Sequence, residues 1–173
     1  LQSGSKILDV PCGDGRLTLE FARRGYIATG IDYSAQLIED ARASAVGMPG
    51  ASFDRADMRH LSRDGEFDAA FCFGNSFGYF SDEGNLAFLE SVRRAVRPGG
   101  VVVLESRLVA EVLFPQFQAR RWFRFADSIM FTEASYDPAG SVLTNEYSFL
   151  RDGVLDRKPA QFRIYPYREL LDL

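Results

Sequence analysis

The chain has 173 residues, 46% hydrophobic and 25% charged, with a formal net charge of −4. That is enough apolar material for a folded domain with a substantial core, and it excludes wholesale disorder. Charges of both signs are scattered without a basic block, so nothing in the composition invites nucleic acid; no apolar run is long enough to cross a bilayer, and no signal-peptide pattern is visible.

Residues 6–10 read as a strand and residues 16–24 as a helix with Leu17, Leu19, Phe21 and Ala22 turned inward. Residues 26–31 form a second strand. Ser34 is a suitable N-cap for a helix running to about residue 45. Residues 51–56 are a short third strand. Residues 67–73, apolar on both faces, are a fourth strand of the buried parallel kind. Ser81, followed by Asp82 and Glu83, starts a helix whose Phe88, Leu89, Val92 and Val96 share a face. The "RPGG" of residues 97–100 stops that helix, since Pro98 cannot continue it, and residues 101–105 are a fifth strand. Such alternation implies right-handed crossovers and an α/β, doubly wound, mainly parallel sheet.

After Ser106 the rhythm changes. Residues 108–117 suggest a short helix. From residue 121 to 165, runs separated by "DPAG" and "RDG" read as an antiparallel β excursion of about three strands. "YRELLDL" at 167–173 begins one more helix. The organisation expected is a core over residues 1–107, an antiparallel insertion over 108–165 and the start of a core helix over 166–173. The two cysteines, Cys12 and Cys72, lie in apolar stretches without a third cysteine, and His60 is the single histidine. This pattern points to a reduced, cytoplasmic setting and to no metal.

The turn after the first strand, "PCGDGR", sits where doubly wound sheets hold their ligands. Gly13 and Gly15 let the backbone approach a ligand. A dinucleotide fingerprint needs a third glycine three residues after the second, and Thr18 stands there. A phosphate-binding loop needs a Gly-Lys-Ser/Thr ending, and this turn has no lysine. It carries Asp9 just before it and Asp14 within it. Two carboxylates near a helix N-terminus oppose a pyrophosphate and suit a ligand with positive groups. S-adenosylmethionine, with its sulfonium and ammonium, is such a ligand.

At these residues the sequence resembles the class I S-adenosylmethionine-dependent methyltransferases. "ILDVPCGDGR" and the "GID" ending strand two look like that family's first two motifs. "RADM" after strand three, "FDAAFCFGNSFGYF" at strand four and "RPGG" before strand five are similar to its later motifs, in order, over roughly residues 6–105. One departure is Pro11, where the family's first glycine usually stands. The resemblance implies a Rossmann-like sheet in the order 3-2-1-4-5, with the family's later strands expected to lie beyond this chain. It implies S-adenosyl-L-methionine as cofactor and S-adenosyl-L-homocysteine as product. Asp9, Pro11, Cys12, Gly13 and Gly15 would line the methionine end of the cofactor. Asp32 would accept from both ribose hydroxyls, and Tyr33 would lie against the adenine. Asp57 would accept from the adenine amine beside Met58, and Phe73, Gly74 and Asn75 would close the pocket.

Plainer roles are also open to these residues. Asp32 can cap the following turn, Asp14 can serve only the helix N-terminus, and Cys12 and Cys72 can be small core residues. His60 suits a solvent-exposed loop. Methyl transfer from a sulfonium chiefly needs alignment, and a base only if the nucleophile arrives protonated. Tyr79 or Glu105 is the expected group to orient or deprotonate it. The excursion, with Arg120, Arg121, Trp122, Arg124 and Tyr147, is the expected substrate wall. The expected acceptor is a small molecule, methylated on N or O, with no nucleic acid or membrane partner and with a homodimer as one assembly open to the chain. The adenine- and glutamine-directed pattern "NPPY" does not occur. The competing readings are an NAD(P)-dependent oxidoreductase and a non-catalytic S-adenosylmethionine-binding module. Strand five is expected to present a bare apolar edge.

Overall fold

A computed structural model describes all 173 residues. The chain divides into two units, one formed by Leu1–Phe77 with Glu83–Ser106 and the other by Gly78–Asp82 with Arg107–Leu173. No helix is long and apolar enough to cross a membrane.

The first unit is built on a five-stranded parallel sheet in the order β3-β2-β1-β4-β5. Its strands are β1 (Lys6–Asp9), β2 (Ile27–Asp32), β3 (Ala51–Arg55), β4 (Phe67–Cys72) and β5 (Val96–Leu104). Helices α1 (Arg16–Arg23), α2 (Ala35–Ser44) and α3 (Asp82–Ala95) connect them. Central β1 is buried from Ile7 onward, as covering on both faces requires. Ser34 caps α2 as its sequence position suggests, its side chain accepting from the Leu37 N–H at 3.4 Å. Phe88, Val92 and Ala95 of α3 are buried. Burying a side chain such as Phe88 contributes about 2–3 kcal/mol.

The buried face of one helix and the start of one strand differ from the sequence reading. The buried face of α1 holds Thr18 beside Leu19, while Leu17, Phe21 and Ala22 are only half-buried. Strand β5 begins at Val96 rather than at Val101: Phe67 pairs with Val96, and the ladder resumes at Ala69 with Val101. Residues 97–100 loop out between these rungs, and the Arg97 Nε donates to Asp68 Oδ1 at 2.6 Å across the bulge. Proline ends the helix, as expected, but the chain pairs with β4 at once. β5 is the edge of the sheet, with Val101 and Val102 about half exposed.

The second unit is an antiparallel meander in the order β6-β7-β8-β9. Its strands are β6 (Arg120–Phe125), β7 (Ser128–Asp137), β8 (Val142–Arg151) and β9 (Val154–Arg163). There are four strands where the sequence suggested about three. The β6–β7 connection is Ala126 and Asp127 alone, with Ala126 at φ 44°, so it shows no glycine to mark it. The β8–β9 turn is legible by contrast, since Asp152 and Gly153 both take positive φ as a two-residue hairpin of the primed type needs. Helix α4 (Ala110–Leu113), a 3-10 turn at Phe114–Gln116 and helix α5 (Tyr167–Leu171) complete the unit. Leu143, Phe162 and Ile164 form its core, with Leu108, Leu113, Phe117 and Tyr136 packed on them.

Arg163 is the polar centre of this unit, its side chain 12% exposed. Its Nε lies 2.9 Å from Asp82 Oδ1, a second nitrogen reaches Glu169, and the guanidinium sits 4.4 Å from the Tyr165 ring centroid. The Tyr165 hydroxyl in turn donates to Asp82 Oδ1 at 2.7 Å. A guanidinium this buried is stable only because carboxylates and a ring face surround it.

Candidate functional site

The glycine turn leaves β1 at the centre of the sheet and is laced to both neighbours. The Val10 N–H donates to the Phe71 carbonyl of β4 and the Cys12 N–H to the Ile31 carbonyl of β2, each at 2.9 Å. The two glycines then have different tasks. Gly13 has φ 58°, and a Cβ there would meet nothing within 4 Å, so this side of the turn is open. Gly15 has φ 81° and precedes α1, and a Cβ there would lie 2.6 Å from the Phe53 ring and 2.9 Å from Ala41. The core therefore demands glycine at residue 15, independently of any ligand.

Asp32 ends β2 and ties two backbone segments together. Its Oδ2 accepts from the Gly13 N–H and its Oδ1 from the Ser34 N–H, both at 2.9 Å. A carboxylate has about four lone-pair sites, so each oxygen keeps room for one further donor. The plainer capping role and a ligand role are thus compatible in one residue. Next to it, Tyr33 is 70% exposed, with the Arg55 guanidinium 5.7 Å from its ring centroid.

Asp9 lies beneath the turn, 2% exposed. The Thr18 hydroxyl donates to its Oδ2 at 2.6 Å, and the Thr18 backbone N–H also bonds to it. Gly15 has no side chain with which to cap α1, so the acid at the end of β1 supplies that acceptor from a distance. Burial pushes the Asp9 carboxyl up to about 6, against the lowering effect of the Thr18 bonds. Cys12 and Cys72 are buried, and burial raises each thiol to about 12. Both are uncharged core thiols at neutral pH. Asp14 is exposed and accepts from the Arg16 N–H at 3.3 Å.

Asp57 is held by its own loop. It caps the short 3-10 turn Met58–His60, accepting from the Arg59 N–H at 2.9 Å, while the Arg59 guanidinium grips both carboxylate oxygens, the shortest contact being 2.6 Å. The Arg59 hydrogen bonds hold the Asp57 carboxyl down at about 2. Met58 is buried and His60 is exposed. At the end of β4, Phe73 stacks on Phe71 with centroids 5.8 Å apart, Gly74 and Asn75 both take positive φ, and the Gly74 N–H donates to Glu105 Oε2 at 2.9 Å. The structure thus brings Asp9, the 11–15 turn, Asp32 and Tyr33 to adjoining ends of β1 and β2, with the 73–75 turn at the end of β4 next to β1.

Tyr79 belongs to the second unit, where its ring packs 5.2 Å from that of Phe162. Arg120 there pairs with Glu133 at 2.9 Å, Arg121 lies 5.8 Å from the Phe123 ring centroid, and all six residues of β6 are exposed. Nothing in the sequence marks Arg59, and Thr18 stands out there only as the residue in place of a third glycine. A polar residue on the inward side of α1 was the available signal for Thr18, since a buried hydroxyl needs a partner.

The family described as "Methyltransferase domain" matches residues 7–100. The dTDP-3-amino-3,6-dideoxy-alpha-D-glucopyranose N,N-dimethyltransferase of Streptomyces fradiae is 32% identical over 116 residues, covering 66% of this chain and 44% of its own. The glycine/sarcosine/dimethylglycine N-methyltransferase of Actinopolyspora halophila is 25% identical over 168 residues, covering 94% of this chain and 29% of its own. Among solved structures, an S-adenosylmethionine-dependent methyltransferase from Clostridium acetobutylicum superposes with a TM-score of 0.80 at 18% identity, over 96% of this chain and 70% of that one. The chain spans less than half the length of the curated relatives it matches. With the sheet order 3-2-1-4-5, the fold is that of S-adenosylmethionine-dependent methyltransferases, and the chain belongs to the methyltransferase domain family.

Proposed function

We propose that the protein moves the methyl group of S-adenosylmethionine to a nitrogen or oxygen of a small molecule. The observation that carries this reading is Asp32, whose carboxylate joins the glycine turn to the start of α2 and keeps acceptor capacity at the ends of β1 and β2. That is an acceptor-only group placed to take two hydroxyls. The bound cofactor supplies an activated methyl group on a sulfonium, so the protein's task is alignment.

On this reading, Asp9 sets the negative field under the turn, and the backbone of Pro11, Cys12, Gly13 and Gly15 faces the methionine end. Asp32 takes the ribose hydroxyls and Tyr33 offers a ring face to the adenine. Met58 and Asp57 flank the base, and Phe73, Gly74 and Asn75 close the far side. Relatives named for N-methylation of an amino sugar and of glycine support a small-molecule acceptor. Light scattering of the full-length protein tests whether its assembly is the homodimer open to the chain.

Thr18 weighs against the oxidoreductase alternative, because it stands where a pyrophosphate-binding turn needs glycine, and its hydroxyl is engaged with a buried acid. Calorimetric titration with S-adenosylmethionine, S-adenosylhomocysteine and NADH separates the two. Binding of the first two and not of NADH is expected, and preferential binding of NADH overturns the proposal. Labelled methyl donor incubated with a metabolite extract then separates an enzyme from a binding module, since only an enzyme moves label into the small-molecule fraction.

A further inference from the structure

Glu105 stands one residue beyond β5 and holds the turn that leaves β4 in two ways. Its backbone N–H donates to the Cys72 carbonyl at 2.8 Å, which adds a rung to the β4–β5 pairing. Its side chain Oε2 accepts from the Gly74 N–H at 2.9 Å. The turn needs such support. Gly74 at φ 79° and Asn75 at φ 63° are left-handed in succession, and the second of these is not a glycine. On the other side, the Ser76 hydroxyl donates to the Phe73 carbonyl at 3.1 Å. Residues 73–75 are therefore held in part by side-chain bonds, one of them donated by the Gly74 N–H to the Glu105 carboxylate.

We propose that Glu105 is a positioning residue of the cofactor site and not a general base: it acts through Gly74 to fix the turn at the end of β4. This rests on the methyltransferase reading, in which residues 73–75 close the pocket. Glutamine at residue 105 keeps an acceptor oxygen without basicity, whereas alanine removes the acceptor altogether. Loss of a partly exposed charged hydrogen bond corresponds to about a fivefold effect on a site that depends on it.

The experiment compares wild type, Glu105→Gln and Glu105→Ala in the full-length protein, each first shown to be folded by circular dichroism. S-adenosylhomocysteine affinity is measured by calorimetry, transfer of labelled methyl into a metabolite extract by counting, and Gly74 amide exchange by NMR. The expected result is Glu105→Gln within about twofold of wild type in all three. Glu105→Ala should bind about fivefold more weakly and exchange the Gly74 amide faster. Glu105→Gln that binds normally but loses turnover would make Glu105 a base and overturn the proposal. Glu105→Ala with unchanged affinity and exchange would overturn it as well. Failure of the wild type to bind S-adenosylhomocysteine would sink the methyltransferase reading instead, while Gly74 exchange would still decide whether the clamp exists.

Discussion

The Thr18 hydroxyl donates to the Asp9 carboxylate at 2.6 Å, and both side chains are buried where β1 hands over to α1. One acid thereby serves the helix N-terminus and the floor of the glycine turn. Its cost is a carboxyl raised to about 6 by burial.

That raised value fixes a sign. The folded protein holds the Asp9 proton up to a higher pH than the unfolded chain does. This group's contribution to stability is therefore highest at low pH and falls as pH rises from about 4 to about 6, by on the order of 3 kcal/mol. Asp9→Asn should flatten the urea-unfolding midpoint across that window relative to wild type. An unchanged slope would show that Asp9 titrates normally. Thr18→Val should push the Asp9 carboxyl higher still, as read by carbon NMR.

Asp32→Ala removes the acceptor of two backbone N–H groups and of the proposed ribose contact. S-adenosylhomocysteine affinity should fall by about a hundredfold, in line with two lost charge-assisted bonds. Asp32→Asn, which keeps one acceptor oxygen, should fall by less. Calorimetry reads both, and equal affinity in Asp32→Ala would remove Asp32 from the cofactor site.

Gly15→Ala places a methyl 2.6 Å from the Phe53 ring at a positive φ. Overpacking and backbone strain together should cost about 3 kcal/mol of stability, measured by denaturant unfolding. The same change at Gly13, where the space is open, should cost only the backbone term of about 1 kcal/mol. Equal losses at the two positions would contradict the division of labour between these glycines.

Arg59 sets the protonation of Asp57. Because the folded Asp57 value lies near 2, below that of the unfolded chain, the pairing stabilises above about pH 4 and is lost as pH falls from about 4 to 2. Arg59→Gln should raise the Asp57 carboxyl toward an ordinary aspartate value in an NMR titration. No movement would mean that the guanidinium is not its partner in solution.

The first unit was legible because its strands are apolar on both faces and its turns carry Gly, Pro and a serine cap. β1, β2, β3 and β4 fall within a residue or so of their expected bounds. The misses have local causes. The "RPGG" stretch has the composition of a break, yet the strand starts before it and bulges around it. The fourth strand of the meander hid behind Ala126–Asp127, a pair without a turn signature. The position of Asp32 at the end of β2 is readable in the sequence, but the Glu105–Gly74 bond joins residues 31 apart and leaves no pattern there. The Asp57–Arg59 grip lies within three residues and was still unreadable, because charged neighbours are common and only the 3-10 turn brings these two together.

The chain leaves the first unit after Phe77, returns to it at Glu83 and leaves again after Ser106. The five residues of that first visit give the meander the Gly78 carbonyl that accepts from the Arg163 N–H, the Tyr79 ring on Phe162, and the Asp82 carboxylate for Arg163 and Tyr165. A gene fragment starting at Arg107 would thus encode a sheet whose interior guanidinium has lost a counter-ion. Anyone transplanting this substructure between scaffolds must carry two separated stretches of code, and mutations accumulating in either one are answerable to the other.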